Sequence, residues 1–370
     1  MNRLFRNPIM WLMVFIPITV IVEYLGERVP ASLKFASAAL AIVPLAAVMV
    51  NATEQISFRT GQTIGALLNA TFGNAPELII SLMALNAGLL DVVKASIVGV
   101  ILANLLFVLG LSFLIGGLRF HVQKFNRRGA RIQRSVLMIA AISIVVPSVF
   151  DNFISPEMID HELGLNTSVA VVLLGTYALS LLFMLKTHPD YFVPKNHDAV
   201  VEEEADRWPG SVAVGALLIS SVILALVSEV LVGAVEETAK SLGISKAFIG
   251  VIVIALIGGA PESVAAVAMA RKNKLDLTMG IAVGSSIQIA LFVAPVLMLS
   301  SYYIAPAPLN LVVGNAGIMI VLFPVLIFSM IVTDGKGNWF KGVQLISVYL
   351  LIALFCYFLP DTPATPWLKP

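Results

Sequence analysis

Two glutamates lie deep inside apolar runs of the sequence, each directly after alanine and proline. The two segments are Gly73-Asn74-Ala75-Pro76-Glu77 and Gly258-Gly259-Ala260-Pro261-Glu262. Proline removes a backbone donor and glycine lets other groups approach closely, so each segment predicts a broken helix with freed carbonyl oxygens. A charged group at membrane depth costs about 3 kcal/mol unless it is paired, protonated or hydrated. The two acids therefore indicate a site that binds a cation or a proton.

The apolar run after each segment adds further oxygen atoms. Asn104 follows the first segment, and Ser285 and Gln288 follow the second. Calcium takes about six to eight hard oxygen ligands from carboxylates, amides and carbonyls. The predicted calcium ligands are the two acids, the nearby amides and hydroxyl, and the backbone oxygens of the breaks: Glu77, Glu262, Asn74, Gly73, Gly258, Gly259, Asn104, Gln288 and Ser285.

Protons are expected to compete with the metal for these carboxylates. Two carboxylates held close together repel each other when the site is empty, so protons bind as the metal leaves. Such competition is a sufficient physical basis for antiport. Two plainer interpretations stay open: the glutamates are permanently protonated structural acids, and Asn104 and Gln288 only join helices by hydrogen bonds. Glu54 and Glu229, near the ends of two apolar runs, are either proton relays or interfacial side chains.

The composition places these residues in a membrane protein. The chain has 370 residues, of which 59% are hydrophobic and 12% are charged, against about 25% charged in a soluble domain. The net charge of +1 offers no basic surplus for nucleic acid. The single cysteine, Cys356, and four histidines that fall in predicted loops argue against a thiolate or histidine metal centre within the membrane. No cofactor is expected.

Apolar runs predict an all-α membrane protein with eleven transmembrane helices. A span needs about 20 mostly apolar residues to cross a core of about 30 Å. Eleven such runs lie at 8–25, 31–52, 61–87, 91–117, 133–150, 168–186, 210–233, 246–270, 276–300, 309–332 and 340–359.

Lysine and arginine predict the orientation of these spans. If the N-terminus is cytoplasmic, most of the 23 Lys and Arg residues fall on that side. The predicted location is the cell membrane, in contact with its lipid bilayer. A polar segment at 187–208, with the acidic run Glu202-Glu203-Glu204, is expected to be a cytoplasmic linker.

The two halves of the chain are predicted to be inverted repeats. A shift of 185 residues without a gap places Glu77 on Glu262 and holds its register through the next helix, where Gly99 falls on Gly284. These two glycines are expected at close helix contacts. The layout is a leading helix at 1–30, a five-helix repeat at 31–186, the linker at 187–208 and a second five-helix repeat at 209–360. An odd helix number inverts the copies, and inverted repeats are typical of transporters with a central site between them. The two glutamates are therefore expected to meet near the midplane.

The first segment resembles the cation/proton exchanger (CAX) family of the calcium/cation antiporter superfamily. The resemblance rests on Gly-Asn-Ala-x-Glu at 73–77, on Leu67-Leu68-Asn69 before it and on Leu78-Ile79-Ile80-Ser81 after it. It covers most of the chain and implies that Glu77 and Glu262 bind calcium and protons in turn. The second segment departs, because the family usually has asparagine at the position of Gly259 and histidine at that of Ser263. The Pro-Glu pairs also resemble those of sodium/calcium exchangers.

These observations predict a secondary transporter that exchanges Ca²⁺ for H⁺ by alternating access, and not an enzyme. A sodium-driven calcium exchanger of the same superfamily is the main alternative. A cation channel would have little use for paired carboxylates that trap a divalent ion. An intramembrane hydrolase is disfavoured because the sequence has no Gly-x-Ser-x-Gly segment and no histidine in a predicted span. Assembly into a homo-oligomer is left open.

Overall fold

The computed structural model describes residues 8–60, 62–151, 153, 159–188 and 208–359. The acidic run Glu202–Glu204 of the predicted linker lies outside these residues. The chain divides into two compact units: Met1–Met83 with Leu181–Leu242, and Ala84–Ser180 with Gly243–Pro370. Each unit contains segments from both predicted halves.

The described residues form helices joined by short turns, with two three-residue strands. In chain order the α-helices and strands are α1 Phe15–Tyr24, α2 Ala31–Ser57, α3 Gln62–Phe72, α4 Ala75–Asn86, α5 Leu90–Leu102, α6 Leu109–Phe120, β1 Val122–Lys124, α7 Arg127–Asp151, α8 Ile159–Leu182, α9 Gly210–Gly233, α10 Val235–Leu242, α11 Lys246–Phe248, α12 Ala255–Gly258, α13 Ala260–Arg271, α14 Leu275–Gln288, α15 Ala294–Ile304, α16 Asn315–Ile331, β2 Lys336–Asn338 and α17 Trp339–Phe358. The turns Pro8–Val14 and Gly26–Arg28 are 3₁₀-helical, and Ala103–Val108, Phe183–Thr187, Ile249–Ile254 and Ile289–Val293 are π-helical.

Helix α2 is the centre of the first unit and contacts α1, α3, α9 and α10. Its buried face is rich in alanine, including Ala38, Ala41 and Ala46, and small side chains let membrane helices pack closely. At one end, the Trp208 N–H donates to Gln55 Oε1 over 2.9 Å. The Arg59 guanidinium donates to the Trp208 carbonyl. These bonds join the end of α2 to the start of α9.

The second unit is built around α5 and α14, which are continued by π-helical turns into α6 and α15. A Cβ atom at Gly99 would collide with the backbone of Val251, and one at Gly250 would collide with Ala95. The close helix contact predicted at Gly99 is therefore confirmed. The matching prediction at Gly284 is wrong, because open space surrounds the position of its Cβ.

Several helices are long and apolar enough to cross a membrane. Within the described ranges there are seven: Ala31–Ser57, Leu90–Phe120, Arg127–Asp151, Glu162–Thr187, Gly210–Gly233, Leu275–Ile304 and Trp339–Phe358. An eighth span arises if Val235–Leu242 and Lys246–Gly258, bent by 118°, count as one. The other predicted runs hold shorter apolar helices, such as Ala75–Asn86. The total of eleven spans therefore stays a prediction.

Loops predicted to share a side of the membrane contact each other in the second unit. At one end β1 pairs with β2 in antiparallel register, and Gln123 Nε2 donates to the Ala270 carbonyl over 2.8 Å. At the other end, Asn310 Nδ2 donates to Glu162 Oε1 over 2.8 Å. The loops that meet at each end are those expected on one side of the membrane if successive spans alternate in direction. Which end is cytoplasmic stays a prediction.

Helices related by the 185-residue shift contact each other within each unit. In the first unit α2 packs against α9, and in the second α5 packs against α14 and α7 against α16. Related helices meet in this way when two copies of a motif are arranged about a shared axis. The contacts support the repeat, whose inverted layout stays a prediction.

Candidate functional site

Glu77 lies in the first unit, directly after a break in the helix. Helix α3 ends at Phe72 and α4 begins at Ala75, so Glu77 is its third residue. Pro76 has no N–H to donate to the carbonyl of Phe72, four residues before it. The N–H of Gly73 still donates to the Asn69 carbonyl, over 2.8 Å. A Cβ atom at Gly73 would lie only 2.5 Å from that same oxygen. The break predicted from glycine and proline is present, and its geometry requires glycine.

The carboxyl group of Glu77 is buried at the start of α4. The residue is 5% exposed, and neither carboxylate oxygen accepts a hydrogen bond from another of the described residues. Asn74, at the break, is 2% exposed. The first turn of α4 provides the positive end of a helix dipole, which favours an anion there. A buried carboxylate in this setting needs a proton or a cation to offset the loss of water.

Glu262 occupies the equivalent place in the second unit. Helix α12 ends at Gly258 and α13 begins at Ala260, so Glu262 is again the third residue after the break. Gly259 between them has φ −80° and ψ 11°, which other residue types also adopt. Glu262 is partly buried, and its Oε2 atom is inaccessible to solvent. The repeat seen in the sequence is thus a repeat of local backbone structure.

The carbonyl oxygen of Gly259 is engaged within α13. It accepts hydrogen bonds from the Ser263 N–H over 3.0 Å and from the Ser263 hydroxyl over 2.7 Å. A carbonyl oxygen has two lone pairs, so both are occupied. Gly259 can therefore bind a cation only if the Ser263 side chain turns away.

Two of the predicted amide and hydroxyl ligands are directly joined in the second unit. Asn104 lies in the π-helical turn Ala103–Val108 and is 2% exposed. Its Nδ2 donates to Ser285 Oγ of α14 over 3.1 Å. Gln288 ends α14, immediately before another π-helical turn, and such turns are frequent at functional sites. Helix α13, which carries Glu262, contacts both α14 and the turn of Asn104. The second unit thus brings these polar residues to the helices around Glu262.

The two relay candidates lie on the surface of the first unit. Glu54 of α2 and Glu229 of α9 are both exposed. Glu229 lines a groove together with Glu23, Glu27 and Glu237. Their role as proton relays stays a prediction.

A buried charged cluster in the second unit was missed by the sequence analysis. Lys94, the fifth residue of α5, is 3% exposed. It interacts electrostatically with Asp91, Glu162 and Asp151, which belong to α5, α8 and α7. Its position near the start of the apolar run 91–117 was the available signal, because a charged residue within a membrane span is functional by default.

The two glutamates belong to different units, and their meeting in one pocket stays a prediction from the sequence repeat. Across the described part of the chain, no group of three or more His, Cys, Asp or Glu side chains is placed to hold a metal ion. Carbonyl, amide and hydroxyl oxygens would therefore have to complete the coordination of calcium.

Comparisons with known proteins identify relatives along nearly the whole chain. The profile of a family described as sodium/calcium exchanger protein matches residues 31–186 and 212–358. A Ca²⁺/H⁺ antiporter of Aphanothece halophytica is 40% identical over 368 residues, covering 95% of this chain and 96% of that protein. The Ca²⁺/H⁺ antiporter ChaA of Bacillus subtilis (strain 168) is 41% identical over 326 residues, covering 88% and 92%. The structure of native YfkE has a TM-score of 0.81 at 36% identity, covering 94% of this chain and 98% of that one.

Proposed function

This chain belongs to the sodium/calcium exchanger protein family, and we propose that it exchanges Ca²⁺ for H⁺ across a membrane. Its relatives are transporters and not enzymes, so an intramembrane hydrolase is set aside. The exchanged ions are proposed because relatives at about 40% identity, matched over nearly the whole chain, are named Ca²⁺/H⁺ antiporters.

The buried carboxyl group of Glu77 is the observation that carries the proposal. Among the described residues it has no hydrogen-bond donor from another residue, yet it stands at a helix start that favours an anion. Such a group is stable when it holds a proton and binds a divalent cation strongly when it loses that proton. We assign the same alternation to Glu262, which follows an equivalent break.

The remaining oxygen ligands are proposed from both breaks and from the helices that follow. Asn74 and the carbonyls of Gly73, Gly258 and Gly259 belong to the breaks. Asn104, Ser285 and Gln288 belong to the following helices, and the Asn104–Ser285 bond would open so that their oxygen atoms face the ion. Alternating access of two inverted five-helix repeats at 31–186 and 209–360, after a leading helix, would carry the ion across. The N-terminus is proposed to be cytoplasmic, and the membrane that of the cell.

A sodium gradient is the alternative driving force, because the matched family is described by sodium/calcium exchange. Sealed vesicles that contain the purified protein separate the two. A pH gradient imposed alone should drive calcium uptake, and a sodium gradient imposed alone should not. Uptake driven only by a sodium gradient would show that the counter-ion is Na⁺ and not H⁺. The family assignment would be unaffected.

Neutral substitutions test the assigned acids. Glu77→Gln and Glu262→Gln keep the shape of the side chain and remove its charge, so each should abolish exchange while the protein still inserts and folds. Glu236→Gln, which changes an exposed glutamate of α10, is the matched control and should transport normally. Full Ca²⁺/H⁺ exchange by both site variants would reject the assigned site.

A further inference from the structure

The first unit contains a groove of about 1130 Å³ on its outer face. Five elements line it: α1, the 3₁₀ turn Gly26–Arg28, the start of α2, the end of α9 and α10. The exchange of ions described above makes no use of this groove, except that one relay candidate, Glu229, faces it.

The groove changes from apolar to acidic along its length. On α1 the lining residues Ile16 and Val20 are followed by Glu23, with the spacing of one helix face. On α9 the lining residue Leu226 is followed by Glu229. Both helices therefore present apolar side chains first and carboxylates later. A ligand that matches this lining has an apolar part and a polar end.

Exposed aromatic side chains relate this polarity to depth in the bilayer. Trp11 is 80% exposed and Tyr24 is 92% exposed. They stand 13 positions apart, which in a helical segment is about 20 Å. Tryptophan and tyrosine prefer the two membrane–water interfaces. Tyr24 also lines the acidic end of the groove. The acidic end therefore lies at head-group level and the apolar end at the level of the acyl chains.

The charges that line the groove favour a cationic group. Lys34 Nζ lies 3.1 Å from Glu23 Oε2. Three more lining carboxylates, of Glu27, Glu229 and Glu237, face the same space. They do not form a metal centre, because within the described ranges no three acidic side chains are placed to hold one. An ammonium group is larger than a metal ion and can lie among carboxylates that are spread apart. If it belongs to an amphiphile, the apolar part of that molecule can pack against the apolar lining of the groove.

We propose that this groove binds one aminophospholipid of the surrounding bilayer. Its ammonium group lies among Glu27, Glu229 and Glu237, its phosphate lies towards Lys34, and an acyl chain lies along the apolar residues Ile16, Val20 and Leu226. An anionic phospholipid with the same chains would have no ammonium group to place among these carboxylates.

Lipid retention by the purified protein tests this inference. The protein is stripped of lipid in detergent, then supplied with phosphatidylethanolamine or phosphatidylglycerol of identical acyl chains. Native mass spectrometry should show one phosphatidylethanolamine retained with about fivefold preference, which corresponds to one or two partly exposed charge pairs. The same lipid should raise the unfolding temperature more than phosphatidylglycerol does.

Two variants address the two ends of the groove. The double variant Glu27→Gln with Glu237→Gln should lose the preference for the ammonium head group. Val20→Trp, which fills the apolar end, should reduce retention of both lipids. Glu236→Gln changes a neighbouring glutamate that does not line the groove, and should retain the lipid as the unmodified protein does.

Several results would overturn the inference. Equal retention of the two lipids would show that the carboxylates do not select the ammonium head group. Stabilisation by ethanolamine or by Ca²⁺ alone, without acyl chains, would indicate a head-group or ion site instead. Cross-linking of the Val20→Cys variant to a second protein chain would show that a protein, and not a lipid, occupies the groove. Glu77→Gln should retain the lipid normally, so these outcomes are separate from any failure of the proposed exchange.

Discussion

A methyl group added by a glycine-to-alanine substitution is expected to have different effects at the two helix breaks. At Gly73 a Cβ atom would lie 2.5 Å from the Asn69 carbonyl oxygen, whereas at Gly259 it would lie 3.3 Å from the Ala255 carbonyl oxygen. The first distance forces the backbone to move by about half an ångström or more, whereas the second is a tight contact that requires a shift of only a few tenths of an ångström. Gly73→Ala should therefore displace the start of α4, on which Glu77 stands. Gly259→Ala should leave α13 in place.

The expected size of the effect follows from this overlap. Strain from an overpacked methyl group costs about 1–3 kcal/mol, which is roughly a 5- to 150-fold change in an equilibrium constant. In the proposed exchange the Glu77 carboxylate binds calcium, so most of this cost should appear as weaker binding and slower exchange. Gly259→Ala should stay within about twofold of the unmodified protein.

Calcium uptake into sealed vesicles under a pH gradient measures the effect. The unfolding temperature of each purified variant, measured in parallel, separates loss of the site from loss of the fold. Full exchange by Gly73→Ala with unchanged stability would refute the requirement for glycine at this break. An equal loss in both variants would show that the distances at the two breaks do not decide the outcome.

Three further predictions concern charge and hydrogen bonding. Calcium affinity should rise by about tenfold per pH unit for each proton displaced, since protons compete for Glu77 and Glu262; affinity measured by calorimetry that is flat from acid to neutral pH would contradict shared occupancy. Lys94→Met should destabilise the protein by about 1–3 kcal/mol, because it leaves three partly buried carboxylates without their buried cation; Lys94→Arg should unfold near the original temperature, and equal unfolding of both would contradict a role for the charge. Ser263→Ala should strengthen calcium binding, because it frees one lone pair of the Gly259 carbonyl; unchanged binding would remove Gly259 from the ligand set.

The sequence predicted those features that depend on residues close together in the chain. Proline and glycine act on the backbone of their own helix, so the breaks before Glu77 and Glu262 were evident without a structure. Hydropathy acts in the same local way, and each predicted run holds helix in the structure, whereas the short amphipathic helix α10 lies between two runs and was not predicted. The repeat could be read because its register is preserved without a gap, and the contact of α5 with α14 supports it.

The tertiary structure decided those features that depend on which distant segments meet. The matched glycines Gly99 and Gly284 look alike in the sequence, yet only Gly99 lies against another backbone. Lys94 stands near the start of a predicted run, and its burial beside acids of α7 and α8 follows from the packing of three separate helices. Hydrogen bonds likewise occupy the Gly259 carbonyl and join Asn104 to Ser285. Residue type determines which bonds a side chain is able to make, but the partner is selected by packing over distances that no local pattern encodes.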